Sequence, residues 1–127
     1  MNKNTIMDDL DNLNNTIDFT MEKCEWIKSL DSKSSLSSVR EELSELDEAI
    51  KKNDFDNIEE EIGDLLFTIL LIGKISEKEG KINFKNSIKR INQKIITRSP
   101  HVFGDEIAKT PEEASAIWNK IKYQEYK

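Results

Sequence analysis

The sequence predicts an all-α fold, a single bundle of about five helices, on three observations. Only four Gly and two Pro interrupt 127 residues, whereas sandwiches and barrels need frequent turn residues. Apolar residues recur at steps of three and four through most of the chain, the period of a helix buried on one face. The length suits one domain spanning 1–127, since a domain runs to roughly 100–150 residues and a second core would have little left to be built from. The chain is polar, with 36% hydrophobic and 35% charged residues, but seventeen Ile supply a core, so disorder is excluded as its main state.

The first helix is expected over about 5–29, with Ile6, Leu10, Leu13, Ile17, Met21 and Cys24 on one stripe and Asn-rich early turns that weaken it. On that stripe Cys24 reads as a small buried hydrophobe, and Trp26 reads as core. The Ser-rich segment 31–35 reads as a loop. Leu36, Val39, Leu43, Leu46 and Ile50 then define a second helix ending near Asn53. A third starts at Asp54 or Asp56, either of which can cap it, with Glu59 and Glu60 suiting the positive end of its dipole. It is expected to stop near Glu79, before a C′ glycine, Gly80. Residues 65–72 of this helix are apolar nearly all round, which suits a central helix enclosed by neighbours or by another subunit. A fourth helix follows from about Asn83, with Phe84, Ile88, Ile91 and Ile95 inward and Lys85, Lys89, Arg90, Lys94 and Arg98 elsewhere. Ser99-Pro100 ends it, because proline disfavours the α region for the residue before it. After a loop over 101–105, where His101 is expected to cap or pack the Pro100 turn, Thr110-Pro111-Glu112-Glu113 reads as N-cap, first-turn proline and capping-box Glu. These open a last helix to about Tyr123.

Several function classes fall away on composition. A single cysteine forms no intramolecular disulfide and no zinc-ligand pair, so a reducing cytoplasm is the expected compartment. The first residues lack the basic and apolar regions of a signal peptide. The most apolar run, 62–75, contains Asp64 and Lys74, so neither export nor a membrane span is expected. A net charge of −6 argues against a general nucleic-acid binder. That average conceals an asymmetry: 41–64 holds eleven acids against two lysines, and 74–98 holds eight bases against two acids. The first stretch is a candidate cation site and the second a candidate anion site.

Within the acidic stretch, Glu42 and Glu45 are three residues apart on the second helix, and Glu61 and Asp64 are three apart on the third. Each pair therefore projects from one helical face. The fifteen residues between Glu45 and Glu61 supply one helix end, a turn and the next helix start, so antiparallel packing can bring the pairs face to face. Four carboxylates suit a hard cation, Mg²⁺ or Mn²⁺, better than a softer metal that prefers Cys or His. These acids border apolar residues, where unpaired they would repel. Glu-rich stretches are commonly solvated helix faces, so composition and spacing alone leave both readings open. A calcium loop opening at Asp54 is rejected, because Glu59 and Leu65 stand where its glycine and final Glu belong. A ferritin-type di-iron site is rejected for want of Glu-x-x-His motifs, the one histidine being His101.

Glu41-Glu42-Leu43-Ser44-Glu45, then fifteen residues, then Glu61-Ile62-Gly63-Asp64 followed by Leu-Leu-Phe, resembles the EExxE…ExxD signature of the MazG-type nucleoside triphosphate pyrophosphohydrolases. Further landmarks match in order: Asn53-Asp54-Phe55-Asp56, Glu79-Gly80-Lys81, Lys94 through Arg98 into Ser99-Pro100-His101-Val102-Phe103-Gly104, and Trp118-Asn119-Lys120-Ile121-Lys122. The likeness covers about 24–125. It implies a helical bundle completed by dimerisation, as a homodimer or dimer of dimers, that hydrolyses nucleoside triphosphates to monophosphate and pyrophosphate with Mg²⁺ or Mn²⁺. It implies Glu42, Glu45, Glu61 and Asp64 as metal ligands and Glu41 and Glu60 as candidates for orienting or deprotonating the attacking water. Lys94 and Arg98 would stand at the triphosphate and Trp118 near the nucleotide, the basic pair lying inside the candidate anion stretch. Attack at the α-phosphorus and a role in clearing non-standard or surplus nucleotides are implied in the same way.

The chain departs from this pattern in places. The family usually has Cys-Pro-Trp-Asp and then Gln-Thr-His, where this chain has Cys24-Glu25-Trp26-Ile27 and then 31–35. Asn57 stands where some members carry a basic residue, and residues 1–23 form an extra helical segment without a matching motif. Two other readings compete: a pyrophosphatase restricted to dUTP or dCTP, and a non-catalytic helical interaction module.

Overall fold

A computed structural model describes residues 4–126, and among these residues there are seven helices and no strand. They are α1 (Ile6–Lys23), α2 (Glu25–Lys28), α3 (Ser32–Lys51), α4 (Phe55–Lys78), α5 (Phe84–Arg98), α6 (Pro100–Phe103) and α7 (Pro111–Glu125). The chain divides into two units, Met1–Ile82 with α1 to α4 and Asn83–Lys127 with α5 to α7. The all-α expectation holds. Among the described residues no helix is long and apolar enough to cross a membrane.

The first unit is built on the hairpin of α3 and α4. Asn53 makes the turn in the left-handed region (φ 56°), which Asn tolerates better than most residues, and Asp54 caps α4 by accepting from the Asn57 N–H. Along the hairpin Ser35, Glu42 and Ala49 on α3, and Glu61 and Thr68 on α4, are buried or half-buried at steps of seven, while Leu71 and Ile75 further along α4 enter a core with α1 and α2. This is the repeat of a coiled-coil seam, with small residues letting the backbones approach and two acids in its middle. Gly80 takes φ 78° just past α4, the left-handed stop its position predicts.

The first expected helix is broken at Cys24, whose backbone is extended. The break has a packing reason. Ile17 of α1 and Ile27 of α2 enter one core with Leu71 and Ile75, and on an unbroken helix ten residues would leave them about 80° apart around the axis. Cys24 is half-buried beside this core as expected, but Trp26 is 68% exposed because its neighbour Ile27 takes the inward position. Lys74 ties α4 to α1 through Asp18, at 2.7 Å, and Asn14.

The segment 31–35 is likewise not a loop. Asp31 accepts from the Ser34 N–H at 2.7 Å, the Ser34 hydroxyl accepts from the Asp31 N–H, and Ser35 is buried inside the helix that follows. The residues that fill loops are also those that satisfy the free N–H groups of a first helical turn.

In the second unit α5 ends where Ser99-Pro100 predicts, but the expected loop over 101–105 contains the short turn α6. Gly104 closes it against the Pro100 carbonyl, which a Cβ would meet at 3.0 Å. Thr110 caps α7 as predicted, accepting from the Glu113 N–H, while the Glu113 carboxylate reaches back to the Lys109 N–H. The stripe Ile88, Ile91 and Ile95, expected inward, lies exposed instead, and the deeply buried residue of α5 is Arg98, which faces α7.

Ile17 is 1% exposed, so Ile17→Ala should lower unfolding stability by about 2–5 kcal/mol. Urea titration measures it; a loss under about 1 kcal/mol would mean that α1 contributes little to the core.

Candidate functional site

The two acids in the seam of the α3–α4 hairpin set the chemistry of the first unit. Glu61 is 8% exposed and Glu42 half-buried. One turn along each helix stand Glu45 and Asp64. Carboxylate oxygens of Glu42, Glu45 and Glu61 all lie within 4.8 Å of one another. The Oε2 atoms of both Glu42 and Glu61 are buried without a hydrogen-bond partner, an arrangement that costs stability unless something else satisfies them.

The electrostatics follow from this crowding. Burial, then the neighbouring Glu61 and Glu45 carboxyls and the charge of Asp64, push Glu42 up to about 7. Glu61 is also raised, first by burial and further by Glu45 and Asp64, while its closeness to Glu42 works the other way. A bound divalent cation would offset this crowding of negative groups. An all-carboxylate donor set with orphaned buried oxygens fits a hard cation.

Three of the four expected ligands are therefore brought together. The fourth, Asp64, is exposed beside them, close enough for its charge to act on both seam acids. Glu41 and Glu60 are exposed neighbours of the cluster in sequence and lie outside the group of three. A hollow continues the seam beyond the acids, walled by Trp26 and Phe67 with Ser38 and Thr68 between them. Ser38 sits one turn before Glu42 and Thr68 one turn after Asp64. The helical period could have placed both there, but the exposed Trp26 follows from the break at Cys24, which carries no sequence signal.

In the second unit Lys94 is half-buried and Arg98 buried. The Arg98 guanidinium lies over the Trp118 ring, 5.5 Å from its centroid. Its Nε and Nη2 both donate to one oxygen of Glu125, at 3.1 and 2.6 Å. This bond and the charge of Lys94 hold the Glu125 carboxyl below the usual carboxylate range, and Glu125 in turn raises Arg98. Arg98 and Trp118 thus meet. Glu125 was not foreseen. Its signal is the seven-residue step from Trp118, which puts both on one face of α7; an acid in a last helical turn opposes the dipole and reads as incidental.

The sequence profile of the MazG nucleotide pyrophosphohydrolase domain matches residues 30–103. The nucleoside triphosphate pyrophosphohydrolase of Escherichia coli (strain K12) is 34% identical over 102 residues, 80% of this chain and 39% of that protein. The nucleoside triphosphate pyrophosphohydrolase/pyrophosphatase MazG of Thermotoga maritima is 36% identical over 104 residues, 82% of this chain and 39% of that protein. The chain thus spans about two-fifths of the length of these relatives. The crystal structure of a MazG-related protein from Thermotoga maritima superposes with a TM-score of 0.78 at 33% identity, covering 89% of this chain and 98% of that one.

The raised Glu42 gives a signed prediction for the cation-free protein. A carboxyl raised in the fold contributes stability that is complete below its unfolded value and lost as pH rises through its folded one. With chelator present the melting temperature should therefore fall between about pH 5 and 8, a window above the lowered carboxyls Asp31, Glu79 and Glu125. Glu42→Gln should flatten the slope, and Mg²⁺ should oppose it. A melting temperature that climbs across this window would contradict the raised Glu42 carboxyl.

Proposed function

The chain belongs to the MazG nucleotide pyrophosphohydrolase family, and from that premise we propose that it hydrolyses nucleoside triphosphates to monophosphate and pyrophosphate with Mg²⁺, or Mn²⁺ in its place. The observation that carries the reading is the pair of buried, partnerless oxygens on Glu42 and Glu61 within the three-carboxylate cluster. A helical module with no chemistry to perform would be more stable with apolar residues at these seam positions.

Glu42, Glu45, Glu61 and Asp64 are the residues that would hold the cation. When bound it supplies positive charge against a triphosphate bearing about four negative charges and polarises a phosphoryl oxygen. Glu41 and Glu60, exposed and next to the ligands in sequence, would orient the attacking water and accept its proton, a contribution of about 10²–10⁴-fold. Attack falls on the α-phosphorus. Lys94 and Arg98 carry the charge that develops on the departing pyrophosphate, and Trp118 packs at the nucleotide. The cellular role in this reading is clearance of non-standard or surplus nucleotides in the cytoplasm.

The working form is a homodimer, or a dimer of such dimers, with 1–127 as a single MazG-type module. Its supporting feature is a second seven-residue repeat on the hairpin, next to the buried one: Leu36, Leu43 and Ile50 on α3, and Phe55, Ile62 and Ile69 on α4, all exposed in the single chain. Two parallel apolar stripes on neighbouring helices suit a second copy of the same hairpin.

Pyrophosphate release, separated from orthophosphate, from canonical, deoxy, oxidised and deaminated triphosphates with and without Mg²⁺ tests the activity and ranks the bases. Turnover of dUTP or dCTP alone would select the narrower enzyme, and no product from any triphosphate would leave the interaction module. Glu42→Gln and Asp64→Asn should each reduce turnover by roughly 100-fold or more while the helical circular dichroism is retained; full activity in both would reject the ligand assignment. The double variant Leu43→Glu/Ile62→Glu should sediment as a monomer if the hairpin stripes form the interface.

A further inference from the structure

We propose that the Glu125 carboxylate occupies the seat of a phosphate group on Arg98, an internal counter-anion that substrate must displace and that thereby sets triphosphate affinity. The proposal rests on the reading of Lys94 and Arg98 as triphosphate ligands. With its side chain only 6% exposed, Arg98 meets solvent almost nowhere, and the edge through which a guanidinium grips an oxyanion is taken by Glu125. One face of the same guanidinium is covered by Trp118. Removing the carboxylate, itself 33% exposed, is therefore the direct way to open that edge to a ligand.

The position of Glu125 makes it displaceable. It is the last residue of α7, where a negative charge faces the negative end of the helix dipole. The cations of Arg98 and, more weakly, Lys94 hold it there. Swinging it away changes side-chain rotamers at a helix end and leaves the ladder of the helix intact. A cleft of about 240 Å³ opens beside it, lined by Arg90, Gln93, Lys94, Thr97 and Glu125 itself. A phosphate in this cleft meets Arg90 and Lys94 beside Glu125, and with more charge than a carboxylate it competes favourably for the donors that Glu125 holds.

Titration calorimetry of the full chain with inorganic tripolyphosphate, in chelator, reads the anion seat without the metal centre. Glu125→Gln keeps the shape and removes the charge; it should bind tripolyphosphate about fivefold or more tightly and lower the KM for triphosphate without raising kcat. Glu125→Asp, one methylene shorter and still charged, should fall between Glu125→Gln and the wild type. Unchanged or weaker binding by Glu125→Gln would overturn the proposal and make Glu125 a structural partner of Arg98. Lys94→Ala and Arg98→Lys separate this from failure of the underlying reading: if both bind tripolyphosphate like the wild type, the anion seat lies elsewhere; if both bind it more weakly while Glu125→Gln gains nothing, only the counter-anion is rejected.

Discussion

Two carboxylates turned toward each other inside the seam of a helical hairpin repel one another and lose their water, and nothing in α3 or α4 compensates for either loss. The rest of the first unit holds them in place against that cost. Ser35, Ala49 and Thr68 keep the seam narrow on either side of Glu42 and Glu61, so the acids cannot splay without pulling the helices apart. The caps at Asp31 and Asp54 fix where each helix starts, and hence which residues reach the seam. At the far end of α4, Leu71 and Ile75 bury against Ile17 and Ile27, which supplies the apolar area that a two-helix hairpin lacks. Stability is thus generated at one end of α4 and spent at the other, the usual relation between a core and a charged site.

Charge in the acidic stretch sorts into two kinds once the structure is drawn. Asp47 and Glu48 pair with Lys51 and Lys52 one turn on, at 2.9 and 2.8 Å, on the exposed side of α3. Such pairs are worth little and are readily screened. Glu42, Glu45, Glu61 and Asp64 have no lysine or arginine bridged to them among the described residues, so no fixed cation offsets the cluster. In the basic stretch the reverse occurs: Lys74 is consumed in holding α1, and Arg98 is answered by an acid from outside the stretch.

Much of this was legible from residue spacing, because one helical period governs both burial and the alignment of acids. The steps from Glu42 to Glu45 and from Glu61 to Asp64, the stop at Gly80, the end at Pro100 and the cap at Thr110 all rest on local rules that tertiary packing leaves intact. Where the reading departed from the structure, a nonlocal contact decided. Cys24 is extended so that Ile27 can share a core with Ile17, and no residue near Cys24 announces that. Residues 31–35 have the composition of a loop and the hydrogen bonds of a helix start. Arg98 reads in the sequence as one base among several on α5, and its burial depends on Glu125 and Trp118, twenty or more residues away in the sequence.

The break at Cys24 bears on how this protein can be cut and joined. The family profile matches from residue 30, yet Ile17 and Ile27 lie before that point and Asp31 caps α3 just after it. A fragment trimmed to the matched region would expose Leu71 and Ile75 and release Lys74 from Asp18 and Asn14, turning a buried surface into an adhesive one. The start of the matched profile thus falls inside a packed unit and is no guide to where the chain can be cut. A fusion partner or graft is better attached ahead of α1, where Ile6 and Met7 are already exposed.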